Sequence, residues 1–412
     1  MLSDSIALQV QKRALTKSNE QKCIEEIHRI AHILLNQYHN IQDSSLFKGK
    51  TAHALFFAYY TKIFPNEKLD EYLNVLFDDV TNELASTPLN FSFANGVAGL
   101  HWGLQHVNNL YKGKYLDEDF FSELYLHLET FVLEKLKSGN YDLLYGALGG
   151  YLSLTESGYK NDNFDNKVAA SLIEISTYSL NNKYWWIDSL NKKEGTMVNL
   201  GLAHGLPSLW HFIGLLYKRT GTQALKFILQ NSVSTYKYFL LQESYSLFPI
   251  DICLNQNLEE INPESRRSSK LSWCYGDFCM AQGLISSGKI LDQKELIDEG
   301  LSIAKHTLNR KSIKQAGVFD PCLCHGTTSC LHFYNKFYQQ TGHQEFAKAV
   351  NYWFNNGLQY ACFNGYTFLE PDSSEITIDP YSLLDGIIGI GLAYLSAVAY
   401  VELKWDKLLL LD

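Results

Sequence analysis

The stretch Gly146-Ala-Leu-Gly-Gly-Tyr-Leu-Ser-Leu154 opens with a glycine, places a small residue three positions on, and continues as an apolar run. The same pattern recurs at Gly49-Lys-Thr-Ala52, Gly96-Val-Ala-Gly99, Gly205-Leu-Pro-Ser208, Gly276-Asp-Phe-Cys279, Gly326-Thr-Thr-Ser329 and Gly386-Ile-Ile-Gly389. Successive leading glycines lie 47, 50, 59, 71, 50 and 60 residues apart. A period near fifty is the size of one helical hairpin, so the chain reads as seven repeats of two helices.

Two kinds of helix alternate. Around the first repeat Ile24, Ile27, Ile30, Ala31, Leu34 and Tyr38 recur at helical spacing, with Glu25, Glu26 and Arg29 on the other side. Residues 66–86, 117–137, 166–180, 222–241, 294–308 and 343–360 read the same way. The runs behind the glycines, such as Ile387 to Tyr400, are apolar nearly all round and must be buried on nearly all sides. The polar-faced helices therefore form an outer layer and the glycine-led helices an inner one. An open solenoid needs polar capping repeats at its ends. Here the first and last repeats carry the same apolar run as the middle ones. The expectation is an all-α fold, an α/α toroid of about fourteen helices closed by repeat seven packing on repeat one.

The chain has 412 residues, 46% hydrophobic and 14% aromatic, enough for a large core, and reads as one domain over 1–412. Two gaps are long, and aromatic, β-branched segments near 182–200 and 242–271 read as short strands or ordered loops over the ring mouth. The net charge of -9 is spread without a basic block, which argues against nucleic acid as a partner. The longest apolar run, Gly386 to Val401, is short for a membrane span, so an integral membrane protein is not expected. The N-terminal stretch lacks an apolar signal-peptide region, and eight cysteines in such a chain read as reduced thiols of the cytoplasm.

The reactive residues fall together when the repeats are aligned on the leading glycine. Cys274 lies two before Gly276, Cys324 and His325 two and one before Gly326, His204 one before Gly205, and Asp142 four before Gly146. All sit just ahead of inner helices, hence at one rim of the ring, where the positive helix N-termini favour thiolates and anions. Two thiolates and an imidazole are a normal three-ligand set for catalytic zinc, with the fourth position open. Alone, Cys324-His325 would read as a buried thiol beside a capping histidine; Cys274 at the equivalent register makes the metal reading the better one. His204 becomes a candidate acid/base, titrating near neutrality. Asp142 is either a helix-start cap or the group that orients His204. Trp273 and Tyr275 are core aromatics or site lining. Cys279 and Cys330 fall at or beside the small packing position and read as buried. Cys322, outside the shared register, is an alternative ligand. Cys23, Cys253 and Cys362 carry no signal.

Together Trp273-Cys-Tyr-Gly276, Cys324-His-Gly326, Gly201-Leu-Ala-His-Gly205 and the seven glycine-led repeats resemble the LanC family of lanthionine synthetase cyclases, of the stand-alone bacterial type. The resemblance spans essentially the whole chain. It implies a zinc ion (Zn2+) on Cys274, Cys324 and His325, with acid/base roles at His204 and Asp142. The implied reaction adds a peptide cysteine thiolate to dehydroalanine or dehydrobutyrine in a dehydrated lantibiotic precursor, forming lanthionine or methyllanthionine thioether rings. The implied partners are that precursor with its leader, a lantibiotic dehydratase and an ABC exporter, with membrane association only through such a complex. Lys270 stands where nisin-type members have arginine; it or the helix N-termini are expected to stabilise the enolate oxygen, with Tyr275 a further catalytic candidate. The chain departs from the family at Asp277-Phe278-Cys279, where a small residue, proline and glycine are usual. A narrower or more acidic mouth is expected there. Two other readings stand beside this one. A protein prenyltransferase-like alkylating enzyme would need a carboxylate ligand, and a zinc-retaining peptide- or thiol-binding scaffold would not need His204 and Asp142.

Overall fold

The computed structural model describes residues 11–84, 90–117, 119–178, 184–185, 197–242, 244–254, 268–362, 365–367 and 379–412. Within them, each of the seven leading glycines is the N-cap of a helix. These inner helices are α2 (Lys50–Ile63), α4 (Val97–Leu110), α6 (Ala147–Glu156), α8 (Leu206–Thr220), α10 (Asp277–Leu291), α13 (Thr327–Thr341) and α15 (Ile387–Val398). The outer helices are α1 (Lys17–Gln37), α3 (Glu67–Leu84), α5 (Ser122–Lys137), α7 (Asp162–Glu174), α9 (Gln223–Ser234), α11 (Lys294–Thr307) and α14 (Gln344–Gly357), and a single turn, α12 (Ile313–Ala316), precedes α13.

Burial follows the sequence pattern. All twelve residues of α15 are buried, whereas α14 buries only Phe346, Ala347, Val350, Trp353, Phe354 and Gly357, one stripe of a 3.6-residue helix. Two outer helices end earlier than their apolar periodicity: α7 stops at Glu174 ahead of a strand, and α9 gives way at Thr235 to a 3-10 turn that carries the apolar pattern on to Phe239.

Each inner helix touches the next around a closed ring. Tyr59 of α2 meets His106 Nε2 of α4 at 2.7 Å, and His101 Nδ1 of α4 meets Ser153 of α6 at 2.7 Å. Tyr151 of α6 packs on Phe212 of α8 with ring centroids 5.1 Å apart, and Phe278 of α10 stacks on Phe333 of α13 at 4.6 Å. Between α8 and α10, a Cβ at Gly283 would come 2.9 Å from the Trp210 ring. Asn335 of α13 donates to Ser396 O of α15 at 3.3 Å. Closure comes at Gly391 of α15, where a Cβ would sit 2.5 Å from the Phe56 ring of α2. The chain is therefore an α/α toroid with its inner helices running in one sense.

The middle of the ring is filled by its own chain. Residues Lys404–Leu409 form a 3-10 turn, and Trp405, Asp406 and Leu408 to Leu411 are buried. Asp406 lies 3.0 Å from His332 Nε2 and 3.1 Å from Lys336 Nζ. Lys407 Nζ lies 3.6 Å from Glu156, which meets His106 Nδ1 at 2.7 Å. Burial works against ionising Asp406, but Lys336 and His332 hold its carboxyl below the ordinary range. The sequence pattern contains no signal for this plug, because it is not a repeat.

Short antiparallel pairs join the connections. They are β1 (Thr177–Tyr178) with β2 (Tyr184–Trp185), β3 (Met197–Asn199) with β4 (Asp251–Cys253), and β5 (Ala361–Cys362) with β6 (Gly365–Tyr366). The β3–β4 pair links the two long gaps of the sequence. Much of the segments expected near 182–200 and 242–271 lies outside the described residues.

Candidate metal centre

The seven turns ahead of the inner helices share a side-chain scaffold. Six residues before the glycine, Asp43, Asn90, Asn140, Asn199 and Asp320 each accept the N–H two residues on, at 2.6, 3.0, 3.2, 2.8 and 2.8 Å. Four before it, Ser45, Ser92, Ser272 and Ser382 accept the N–H of the residue just ahead of the glycine, at 3.2–3.3 Å. Such local bonds fold a polar loop without help from secondary structure. The glycine is required by a close approach: a Cβ at Gly96 would lie 2.0 Å from Asn90 O. Gly276 is different, with φ +86°, a region that favours glycine.

Neighbouring turns are stitched together through the position two before the glycine. Leu144 O accepts from Phe93 and Ala94, Cys324 O from Trp273, Leu384 O from Leu323 and Cys324, and Phe47 O from Leu383, all at 2.8–3.0 Å. Cys274 and Cys324 occupy this same position in consecutive turns. Sγ of both and a ring nitrogen of His325 lie within 4.8 Å of one another. Cys274 is 9% exposed, whereas Cys324 and His325 are half-buried, so the site opens on the His325 side.

The electrostatics divide the two thiols. A hydrogen bond from Cys324 holds Cys274 well below the usual thiol range, against the effect of burial and with help from His325 and Ser272. The same contact, with burial, pushes Cys324 well above it. Burial by itself would lower His325, but contacts with Asp320, Cys274 and Cys322 outweigh it and push the imidazole up to about 12. Asp320 is correspondingly held below its usual range despite burial, mainly by His325. A cation, whether proton or metal, is what this anionic cluster stabilises.

The serine four before the glycine is replaced in three turns, by Gly201 in one and by a side-chain acceptor in two. Cys322 Sγ accepts the His325 N–H at 3.4 Å, and burial pushes its thiol up to about 12. Cys322 thus has a turn-forming role that its lack of register with Cys274 did not disclose. It also belongs to a second possible ligand group, Asp320, Cys322 and His325, which shares the histidine. Asp142 is the other such acceptor. Its Oδ1 accepts the Tyr145 N–H at 2.6 Å, and its Oδ2 meets Nδ1 of His204 in the adjacent turn. Asp142 does not cap the helix, whose N-cap is Gly146, but braces the turn ahead of it and faces His204. Asp142 is buried and the His204 side chain is 21% exposed, so the dyad opens toward the rim. The turn of His204 abuts that of Cys274: a Cβ at Gly201 would lie 1.9 Å from Cys274 O.

Tyr275 holds the place just before the glycine, the register of His204 and His325, with its N–H on Ser272 Oγ at 3.2 Å. Lys270 stands outside this geometry. Its Cβ lies 2.8 Å from where a Cβ at Gly317 would be, and among the described residues no hydrogen bond or ion pair ties it to the cysteines or His325. Trp273 is a core aromatic, with Nε1 bonded to Leu409 O at 2.9 Å. Cys279 and Cys330 are fully buried.

Asp277 does not acidify the mouth as expected. Its carboxylate is fully buried, pairs with Arg310, and accepts from Leu247 and Phe248 N–H at 3.0 and 2.9 Å. It pins the segment around residue 247 to the start of α10. Two residues near the site were missed by sequence reading, Asp320 and Asp385. Asp385 stands just before Gly386 in the next turn. Burial raises its carboxyl; His325 opposes that, and Cys274 and Asp320 add to it. Extending the glycine register to six residues back, and to the last repeat, would have found both.

The donor set suits zinc: two thiols and an imidazole converge in a half-buried site, and three ligands leave a position for an exogenous group. Residues 40–410 match the family described as lanthionine synthetase C-like protein. Among solved structures the fold is similar to "Nisin cyclase", with a TM-score of 0.74 at 19% identity, covering 95% of this chain and 98% of that one. A sugar epimerase from a ruminal bacterium overlays with a TM-score of 0.44 at 7% identity, over 92% of this chain and 98% of that one. No curated protein sequence matches the chain.

Proposed function

Because the chain belongs to the lanthionine synthetase C-like family, we propose that it is a zinc-dependent cyclase that closes thioether rings in a dehydrated precursor peptide. Cys274, Cys324 and His325 would hold the ion. Bound there, zinc lowers the pKa of a substrate cysteine thiol so that thiolate is available at neutral pH. The peptide sulfur then adds to the β-carbon of dehydroalanine or dehydrobutyrine, the carbon–carbon double bond is consumed, and the α-carbon takes a proton. The thiol's hydrogen is thus accounted for on the α-carbon, and ring closure leaves the mass unchanged.

His204 is the residue for the proton. Asp142 accepts from Nδ1, so the tautomer presents Nε2 as the working atom, and the carboxylate stabilises the imidazolium form. His204 takes the proton from the incoming thiol or delivers it to the α-carbon; the same geometry serves both. The positive N-termini of the inner helices stabilise the developing enolate oxygen. The geometry around Lys270 lends no support to its sharing that task.

The observation that carries this reading is the convergence of the Cys274–Cys324–His325 set with the Asp142–His204 dyad on adjoining turns. The precursor with its leader, a dehydratase and an exporter are the partners, in the cytoplasm. No helix among the described residues is long and apolar enough to cross a membrane. The test is incubation with a dehydrated precursor. Alkylatable thiols should disappear without mass change, and their persistence would favour a peptide-binding scaffold.

One observation favours a second reading. Asp320, Cys322 and His325 offer the carboxylate-containing set that a prenyltransferase-like alkylation needs. Against it, Asp320 Oδ1 and Cys322 Sγ are both engaged in holding their own turn.

A further inference from the structure

Asp320 occupies the position six before the glycine, where its Oδ1 accepts the Cys322 N–H at 2.8 Å. Asn90, Asn140 and Asn199 do the same turn-forming work in other repeats with a neutral amide. The turn therefore does not need a carboxylate. What the carboxylate adds is a second oxygen: Oδ2 lies 3.3 Å from Nε2 of His325, and the Asp320 side chain is 13% exposed. One oxygen is clamped by backbone, and the other stands at ion-pair distance from the ring nitrogen.

We propose that Asp320 is the positioning residue for His325, holding the hydrogen on Nε2 so that Nδ1 is presented to the metal. This rests on the zinc reading above. An ionised carboxylate only accepts, so the nitrogen facing it carries the hydrogen. A neutral imidazole with its hydrogen on Nε2 has its lone pair on Nδ1 and can ligate from there. Carboxylate partners of ligating histidines fix ring orientation and raise ligand basicity in this way. Asparagine at 320 would keep Oδ1 on the Cys322 N–H and place an NH2 group where Oδ2 was. That donor requires an acceptor at Nε2, which moves the hydrogen to Nδ1, the atom that must bind metal.

The experiment compares wild type with Asp320→Asn and Asp320→Ala. Zinc affinity is read by competition with a chromogenic chelator, and ligation by the absorption spectrum of the cobalt-substituted protein. Thermal unfolding of the metal-free chain reports on the turn. Wild type should bind one zinc. Asp320→Asn should bind one zinc about 10–100-fold more weakly with metal-free unfolding unchanged. Asp320→Ala should lose the same affinity and also unfold earlier. Equal zinc affinity in wild type and Asp320→Asn would reduce Asp320 to a turn former and overturn the proposal. Two zinc ions per wild-type chain, with the second lost in both variants, would make Asp320 a ligand and overturn it too. A wild-type chain that binds no zinc would sink the metal reading itself, and this proposal with it.

Discussion

The indole nitrogen of Trp273 donates to the carbonyl oxygen of Leu409 at 2.9 Å, across 136 residues of chain. The backbone N–H of the same residue donates to Cys324 O at 2.8 Å. Trp273 thus ties the turn that carries Cys274 both to the turn that carries Cys324 and to the plug that fills the ring.

Trp273→Phe keeps an aromatic ring and deletes the donor, leaving Leu409 O buried without it. We expect a loss of about 1–3 kcal/mol in stability, read as a lower urea midpoint at unchanged slope. Zinc should also bind more weakly. A variant with wild-type stability and affinity would show that plug and metal turn are independent.

Cys274→Ala and Cys324→Ala each remove one thiol from a three-donor set. Both should lose zinc at ordinary metal concentrations and lose ring formation with it. Cys322→Ser should retain zinc, because serine fills this place in four other turns. Metal content measured on the purified chains decides between the two ligand sets.

His204→Asn should bind zinc as wild type does and lower the rate of thiol consumption by about 10²–10⁴-fold, the usual range for a positioned acid or base. Asp142→Asn can still accept from Tyr145 but offers His204 Nδ1 a donor, the wrong partner for the productive tautomer. Its rate should fall while its zinc stays. Metal loss in either variant would move these residues from proton transfer to ligand support.

Asp406 gives the plug a pH dependence. Its carboxyl is held below the ordinary range when folded, so it binds fewer protons there than in the unfolded chain. Its contribution is therefore fully present above the unfolded carboxylate value, about 3.9, and is lost as pH falls through the lower folded value. Asp406→Asn leaves His332 beside a neutral group and Lys336 with Glu402 as its remaining partner, and should cost about 3–5 kcal/mol at pH 7. Urea unfolding at pH 7 and again near pH 3 should show the difference between wild type and variant shrinking in acid.

How much of this was legible beforehand follows from the range of each interaction. The glycine-led repeat is a local pattern. From it came the inner and outer helices, the ring, and the shared register that brings Cys274, Cys324, His325, His204 and Asp142 to one rim. Periodicity and register survive in a linear string because each repeat states them again. The plug at residues 404–411, the inward turn of Asp277 onto Arg310, and the aim of Asp320 at His325 are not repeated anywhere. They depend on which way a side chain points, and burial and tertiary partners, such as Arg310 for Asp277 and Leu409 for Trp273, decide that. The sequence by itself therefore determined that two cysteines and two histidines meet at the mouth of a ring. The tertiary structure alone decided that Cys322 folds its own turn and that Asp142 both braces its turn and faces His204. Hydrogen-bond geometry, not residue type, assigns those roles.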